Sequence, residues 1–149
     1  MSLEQRLTDD MKAAMKDKDR VRLATIRMLR SEVHNARIAR GADLDDDQIL
    51  EVVGSAAKKR REAIEQFQAV GQADRAAEEA QELAIIESYL PEQLDDAEIE
   101  EIVRAVIAET GAASMKDMGQ VMGAVMPKVK GKADGKRVQT IVRNQLAAG

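Results

Sequence analysis

Residues 114–146 read S-M-K-D-M-G-Q-V-M-G-A-V-M-P-K-V-K-G-K-A-D-G-K-R-V-Q-T-I-V-R-N-Q-L and contain two helical patterns separated by a short break. In each pattern apolar residues recur with the spacing of one helix face. Ser114 is a suitable N-cap for the first helix. Pro127 is expected to end that helix, because the residue before a proline is pushed out of the α region. Asp134 is the expected N-cap of the second helix.

The break and the start of the second helix are rich in cations. Three lysines alternate, and alternate side chains of an extended segment point to one side. Two further cations follow at a helix start, where free N–H groups and the helix dipole favour an anion such as phosphate. The alternative is a solvated lysine loop, the usual role of a charge run. The nucleic-acid-binding candidates are Lys128, Lys130, Lys132, Lys136, Arg137 and, two turns further on, Arg143.

Charge is distributed unevenly along the chain, whose formal net charge is −4. Residues 111–149 carry seven Lys/Arg and two Asp, whereas residues 1–110 carry sixteen Lys/Arg and twenty-five Asp/Glu. A basic tail on an acidic body favours contact between the tail and a polyanion. The same distribution allows the tail to dock on the acidic body itself, and composition leaves both alternatives open.

A family resemblance is carried by residues 117–135, which read D-M-G-Q-V-M-G-A-V-M-P-K-V-K-G-K-A-D-G. This run resembles the signature of the YqeY-like proteins, which are similar to the tail domain of GatB, the B subunit of the tRNA-dependent amidotransferase. Residues 89–94, Y-L-P-E-Q-L, and residues 7–12, L-T-D-D-M-K, also resemble this family. The resemblance implies an all-helical protein whose C-terminal part is similar to a tRNA-contacting domain.

The helical patterns predict an all-α fold with an N-terminal helical bundle followed by a small C-terminal three-helix domain. About four helices are expected in residues 1–90, a linker in residues 91–94, and three helices in residues 95–149. A bundle of helices this long can pack as hairpins. A three-helix domain of this size is marginally stable alone.

Two pairs of polar residues mark helix starts. Asp45 with Gln48, and Asp95 with Glu98, have the spacing of a capping box. Within the helix that precedes Pro127, two glycines lie four residues apart, each costing about 1 kcal/mol relative to alanine. Their use is expected to be close approach, either of another helix, which is the commoner case, or of a ligand backbone. The two glycines are Gly119 and Gly123.

A second basic stripe is predicted on the second helix, where Arg27, Arg30, His34 and Arg37 lie together on one face. One interpretation is an auxiliary surface that contacts phosphates. The alternative is that these arginines pair with acids of neighbouring helices while their stems cover apolar surface.

No catalytic residue, metal site or cofactor is predicted. The single histidine, His34, has no carboxylate placed to orient it, and without cysteine the chain has no His/Cys cluster for zinc. A carbon–nitrogen ligase activity with glutamine as amido-N-donor is implied by the resemblance alone, and it would be exercised only as part of a larger complex.

The aromatic residues Phe67 and Tyr89 are both expected in or near the core, so a bound nucleic acid would be recognised by its backbone and shape rather than by base stacking. No apolar run approaches the ~20 residues of a membrane helix, and no signal-peptide core is present, so a cytoplasmic protein is expected. The hypothesis is a tRNA-binding accessory protein acting beside an aminoacyl-tRNA synthetase or amidotransferase. The alternative is a protein–protein interaction module without RNA contact. The sequence leaves the oligomeric state open.

Overall fold

The computed structural model describes residues 1–148, which form seven α-helices, one 3₁₀ turn and no strand. This confirms the all-α prediction. The helices are α1 (Leu3–Lys16), α2 (Arg20–Arg40), α3 (Asp46–Ala69), α4 (Ala73–Glu87), α5 (Asp96–Thr110), α6 (Met118–Val129) and α7 (Gly135–Ala148). Two compact units divide the chain, the first spanning Met1–Pro91 and the second beginning at Glu92. The residue bounds of the predicted domains and linker stay predictions.

The starts of α3 and α5 are fixed by local capping. The Asp45 carboxylate accepts from the backbone N–H of Gln48 at 2.9 Å, and the Gln48 side chain accepts from the backbone N–H of Asp45 at 2.9 Å. Asp95 and Glu98 make the same pair of bonds, at 2.8 and 3.4 Å. Both predicted capping boxes are confirmed, and each satisfies N–H groups that a helix start leaves without partners.

The core of the first unit is formed by one apolar face from each of its four helices. Leu7 of α1, Ile26 and Leu29 of α2, Val53 of α3 and Ile86 of α4 are each at most 1% exposed. The short connection between α3 and α4 makes them an antiparallel hairpin that packs along its length. Within residues 1–148, no helix is both long and apolar enough to cross a membrane.

Tyr89 lies against this core just after α4, and its side chain is almost completely buried. Its hydroxyl donates to Asp10 Oδ2 at 2.6 Å, and the Arg6 guanidinium lies over its ring, 4.6 Å from the centroid. Burial, followed by the hydrogen bond to Asp10 and the negative charge of that carboxylate, raises the pKa of the Tyr89 phenol well above its ordinary value. The protonated phenol therefore ties α1 to the chain that follows α4.

The core of the second unit is made of aliphatic side chains from α5, α6 and α7. It contains no aromatic residue, because the chain has none after Tyr89. Its fully buried members are Ile99, Val103, Val106, Val121, Val125, Val129, Val138 and Val142. In the part of the chain that the structure describes, no group of three or more acidic or histidine side chains could hold a metal ion.

Pro127 lies inside α6 and does not end it, so this prediction from sequence is wrong. An internal proline costs about 3 kcal/mol, because it removes one N–H and crowds the preceding turn. Continuing the helix places Val129 four residues after Val125 on the buried face, and burying a valine is worth about 1.5–3 kcal/mol. The carbonyl that loses its partner belongs to Gly123, which lies on the exposed face where water can satisfy it.

The chain enters α6 through the 3₁₀ turn, Met115–Asp117, with Ser114 at its N-cap. The Asp117 carboxylate accepts from the backbone N–H groups of Ala113 at 2.9 Å and Ser114 at 3.2 Å. These two bonds hold the pKa of Asp117 below its usual value. A charged Asp117 therefore organises the turn that leads into the helix.

Candidate nucleic-acid interface

The six predicted cations of the second unit lie at the end of α6, in the loop that follows, and on α7. Lys128 is in the last turn of α6, Lys130 is its C-cap, and Lys132 lies in the loop. The predicted extended segment with three lysines on one side does not form. Gly131, with φ of 76°, instead turns the chain, and the N–H of Lys132 donates to the Val129 carbonyl at 2.8 Å. A helix end and a turn replace the extended segment, so the alternation that would place the three lysines on one side is absent.

This loop is fastened to the residues that lead into α5. The N–H of Leu94 donates to the carbonyl of Lys132 at 2.8 Å, and the Gln93 amide donates to the carbonyl of Gly131 at 2.8 Å. Both donors fall in the stretch that the sequence assigns to a linker. Their bonds hold the backbone that presents Lys132.

Two of the six cations are paired with acidic residues of α5. The Lys128 ammonium lies 3.9 Å from the Glu109 carboxylate, and the Arg137 guanidinium donates to Asp96. Residues 92–110 carry seven Asp/Glu and one Arg, so α5 is the acidic surface nearest in sequence to these cations. For Lys128 and Arg137, the alternative that basic residues of the tail dock on acidic residues therefore holds, and the acidic residues belong to α5 of the same unit. Exposed ion pairs of this kind stabilise by only about 0–1 kcal/mol.

Three of the other four cations make no ion pair among residues 1–148, and the fourth, Lys130, interacts with another group. Lys132 is exposed on the loop, and Lys136 and Arg143 are exposed on α7. Because Lys136 and Arg143 are seven residues apart, they lie on one side of the helix, opposite the buried Val138 and Val142, and about 10 Å apart along its axis. Lys132, Lys136 and Arg143 are named here the α7 cationic surface.

The N-terminus of α7 is capped by a carboxylate. Asp134 is its N-cap as predicted: its Oδ1 accepts from the backbone N–H of Lys136 at 3.2 Å. This carboxylate occupies the position at which a phosphate would meet the free N–H groups of a helix start. The cap takes one of the free N–H groups of this helix start, so the binding of an anion there stays a prediction.

Gly119 and Gly123 lie on the exposed face of α6. A Cβ atom built at either position would have no heavy atom within 4 Å, apart from the backbone of the helix itself. Packing against another helix of the second unit is therefore not their role among the described residues. They leave a strip of α6 backbone that an external ligand can approach closely.

The predicted basic stripe of the first unit lies on the face of α2 beside α1. Arg37 pairs with Glu4 and lies 3.4 Å from Asp43, so the pairing interpretation holds for this residue. Arg30 donates to the Met11 sulfur at 3.0 Å. Arg27 makes no ion pair or side-chain hydrogen bond within residues 1–148. A groove between α1 and α2 is lined by these arginines and by two residues of α2 that the sequence prediction missed, Ser31 and Asn35. Their spacing of four residues was the available signal.

The sequence profile of a family described as Yqey-like protein matches residues 4–146. The chain is 28% identical over 144 residues to "Altered inheritance of mitochondria protein 41, mitochondrial" of Pyrenophora tritici-repentis, covering 92% of this chain and 79% of that protein. It is 34% identical over 109 residues to the E subunit of the glutamyl-tRNA(Gln) amidotransferase of Thermococcus gammatolerans, covering 70% of this chain and 17% of that protein. The corresponding protein of Thermococcus sibiricus is 48% identical over 48 residues, 32% of this chain and 8% of that protein. The chain therefore spans only a small part of those amidotransferase subunits.

Proposed function

The chain belongs to the Yqey-like protein family, and on this premise we propose that it binds tRNA through the α7 cationic surface. The observation that carries the proposal is that these three cations have no carboxylate partner among residues 1–148, whereas Lys128 and Arg137 beside them do. A cation that is not already paired is free to neutralise a phosphate and release its counterions. The similarity to subunits named for glutamyl-tRNA(Gln) supports tRNA as the polyanion.

The proposed contact is with the RNA backbone. Residues 92–149 contain no Phe, Tyr or Trp, so this unit offers no ring on which a base could stack. Contacts from lysine and arginine to phosphates position a nucleic acid without reading its sequence. The exposed backbone at Gly119 and Gly123 supports the same mode, since it lets a sugar-phosphate chain come close to α6.

The test is a titration of the full chain with total tRNA at two salt concentrations. The site variant carries Lys132→Ala, Lys136→Ala and Arg143→Ala. We expect weaker binding, with a salt slope lower by about 0.7–0.9 for each phosphate that is no longer neutralised, or roughly 2–3 in all. A matched variant removes three exposed cations that have no ion pair among residues 1–148, and it should bind like the wild type: Lys16→Ala, Arg20→Ala and Lys58→Ala.

Two results would contradict the proposal. If the wild type does not bind tRNA even at low salt, RNA binding by this chain is wrong. If the site variant and the matched variant bind equally well, the chain binds RNA but the α7 cationic surface is not the contact.

A second candidate function is protein docking on α6, favoured by the bare strip at Gly119 and Gly123 and by the half-exposed Met115 at the start of the 3₁₀ turn. A partner helix packed there would be held by apolar contact and would stay bound at high salt, unlike RNA. Survival of a complex with a protein partner at high salt, together with no tRNA binding at low salt, would favour this function.

The partner enzyme is part of the proposal. An aminoacyl-tRNA synthetase or an amidotransferase is the expected neighbour, and carbon–nitrogen ligase activity is proposed only for such a larger complex. Turnover of glutamine by the purified chain alone would contradict the proposal that the activity requires a larger complex. A cytoplasmic location stays a prediction, and the mitochondrial names of several relatives make that organelle the alternative to test.

A further inference from the structure

A groove with a volume of about 530 Å³ runs between α1 and α2 in the first unit. Its α2 wall includes Arg27, Arg30, Ser31 and His34, whose spacing of three and four residues places them on one face. Its apolar lining includes Leu7, which belongs to the core beneath. The groove therefore presents a row of polar side chains above the apolar core.

The charges in this groove are only partly compensated. Arg37, at one end, pairs with Glu4, the one carboxylate that lines the groove. Arg30 donates to the thioether of Met11, which is a weak acceptor. Arg27 has neither an ion pair nor a side-chain hydrogen bond within residues 1–148. Two guanidinium groups thus face the groove without a carboxylate.

The unpaired groups define the chemistry of a ligand. Guanidinium, hydroxyl, amide and imidazole groups can all donate hydrogen bonds, and the planar fork of arginine matches the oxygens of a phosphate. Arg27 and His34 are separated by seven residues, or about 10 Å along α2. A row of this length suits successive phosphates of an extended chain better than one small anion. No Phe, Tyr or Trp lines the groove, so a base would find no stacking surface.

The surroundings make this row an exception. Residues 1–91 carry fifteen Lys/Arg and eighteen Asp/Glu, so the first unit as a whole repels a polyanion. Other arginines of the unit are neutralised locally: Arg6 pairs with Asp10, and Arg60 pairs with Glu79 and Glu82. The α1–α2 groove is thus a place where this acidic unit offers cations to a polyanion.

We infer that the α1–α2 groove is a second RNA-contact site, in which Arg27 and Arg30 bind phosphates of the backbone. The inference rests on the proposed function, because it takes RNA as the ligand. It adds a contact on the first unit to the one proposed on the second. Arg37 is a structural residue of the groove and is not one of the phosphate-binding residues.

The test compares the full-length Arg27→Ala/Arg30→Ala variant with a matched Arg20→Ala/Lys58→Ala variant. The matched pair also removes two exposed, unpaired cations from the first unit, but neither lines the groove. In tRNA titrations at several salt concentrations, we expect the groove variant to bind more weakly and to lose about 1.4–1.8 of the salt slope. The matched variant should keep the wild-type slope. Arg27→Lys/Arg30→Lys keeps the charges and should keep most of the slope, which separates a loss of phosphate binding from a damaged fold.

Each outcome distinguishes this inference from the proposed function. If the groove variant binds like the wild type while the α7 variant loses affinity, the inference is overturned and the proposed function stands. If the salt slope of tRNA binding decreases only in the groove variant, the inference is supported and the proposal that the α7 cationic surface contacts RNA is wrong. Failure of the wild type to bind RNA overturns both. If the groove variant binds RNA like the wild type but no longer binds an acidic protein that the wild type binds, the inference is also overturned.

Discussion

Among single residues, Tyr89 combines burial, a charged hydrogen-bond partner and an overlying guanidinium. Tyr89→Phe removes the hydroxyl that donates to Asp10 but keeps the ring in the core. We expect the free energy of unfolding to fall by about 1.5–3 kcal/mol, the worth of a hydrogen bond to a charged group. Urea unfolding of the variant and the wild type measures this difference. An unchanged free energy of unfolding would show that Arg6 and water replace the hydrogen bond to Asp10 without loss.

The raised pKa of Tyr89 also predicts how stability changes with pH. The folded state holds the phenolic proton more tightly than the unfolded state, whose pKa is about 10. The contribution of this proton is therefore complete below pH 10 and is lost as pH rises above it. Tyr89→Phe should flatten this alkaline loss, and unfolding curves at successive pH values would show it. An unchanged alkaline loss would assign it to other groups.

Asp117 predicts a change at the opposite end of the pH scale. Because its pKa is lowered in the folded state, its contribution is complete above the unfolded pKa, about 3.9, and is lost as pH falls through the lower folded value. The amide signals of Ala113 and Ser114 should shift as the carboxylate titrates, with a midpoint below the ordinary value. In Asp117→Ala both shifts should be absent. A midpoint at the ordinary value would contradict the two backbone bonds.

At the scale of elements, α6 contains two glycines that lower the stability of the helix relative to alanine. Gly119→Ala and Gly123→Ala should each raise the free energy of unfolding by about 1 kcal/mol, because neither Cβ meets an obstacle and alanine stiffens the unfolded chain. Gly111→Ala is the control, since its φ of 70° should make the change destabilising. Thermal unfolding measures all three. Variants that gain stability but bind tRNA less tightly would show that the bare strip serves the ligand.

Helices whose starts depend on neighbouring residues could be predicted from sequence. The capping boxes at Asp45 and Asp95 need only residues within one turn, so spacing was sufficient. The end of α6 at Val129 was not predictable from Pro127, because the burial of Val129 against other helices decides it. The loop conformation likewise depends on the bond from Leu94, nearly forty residues earlier. Local rules are wrong where a distant contact contributes more than the local preference.

For the whole molecule, the two separate core clusters predict separate effects of core mutations. Leu29→Ala and Ile99→Ala each remove a fully buried side chain and should cost about 2–5 kcal/mol. Because each cluster contains residues of one unit, we expect hydrogen exchange to accelerate mainly in the unit that carries the mutation. Each variant serves as the other's control. Equal acceleration in both units would contradict independent cores.

The candidate site could be located from sequence only as a region. Charge asymmetry indicated the C-terminal cations, but the pairing of Lys128 with Glu109 and of Arg137 with Asp96 depends on how α5 packs against α6 and α7. The same limit applies to the first unit, where Arg37 is paired and Arg27 is not. Composition gives the number of charges, whereas the fold decides which of them remain available.

The position of Tyr89 has a spectroscopic consequence. It is the single tyrosine of a chain without tryptophan, so tyrosine emission comes from one ring in the first unit. Its fluorescence is therefore a native label that reports on that unit alone, without any dye or added fluorophore. Tyrosine emission follows the unfolding of the first unit, whereas backbone circular dichroism follows the helices of both units. A difference between the two melting curves would therefore report on the unfolding of the second unit.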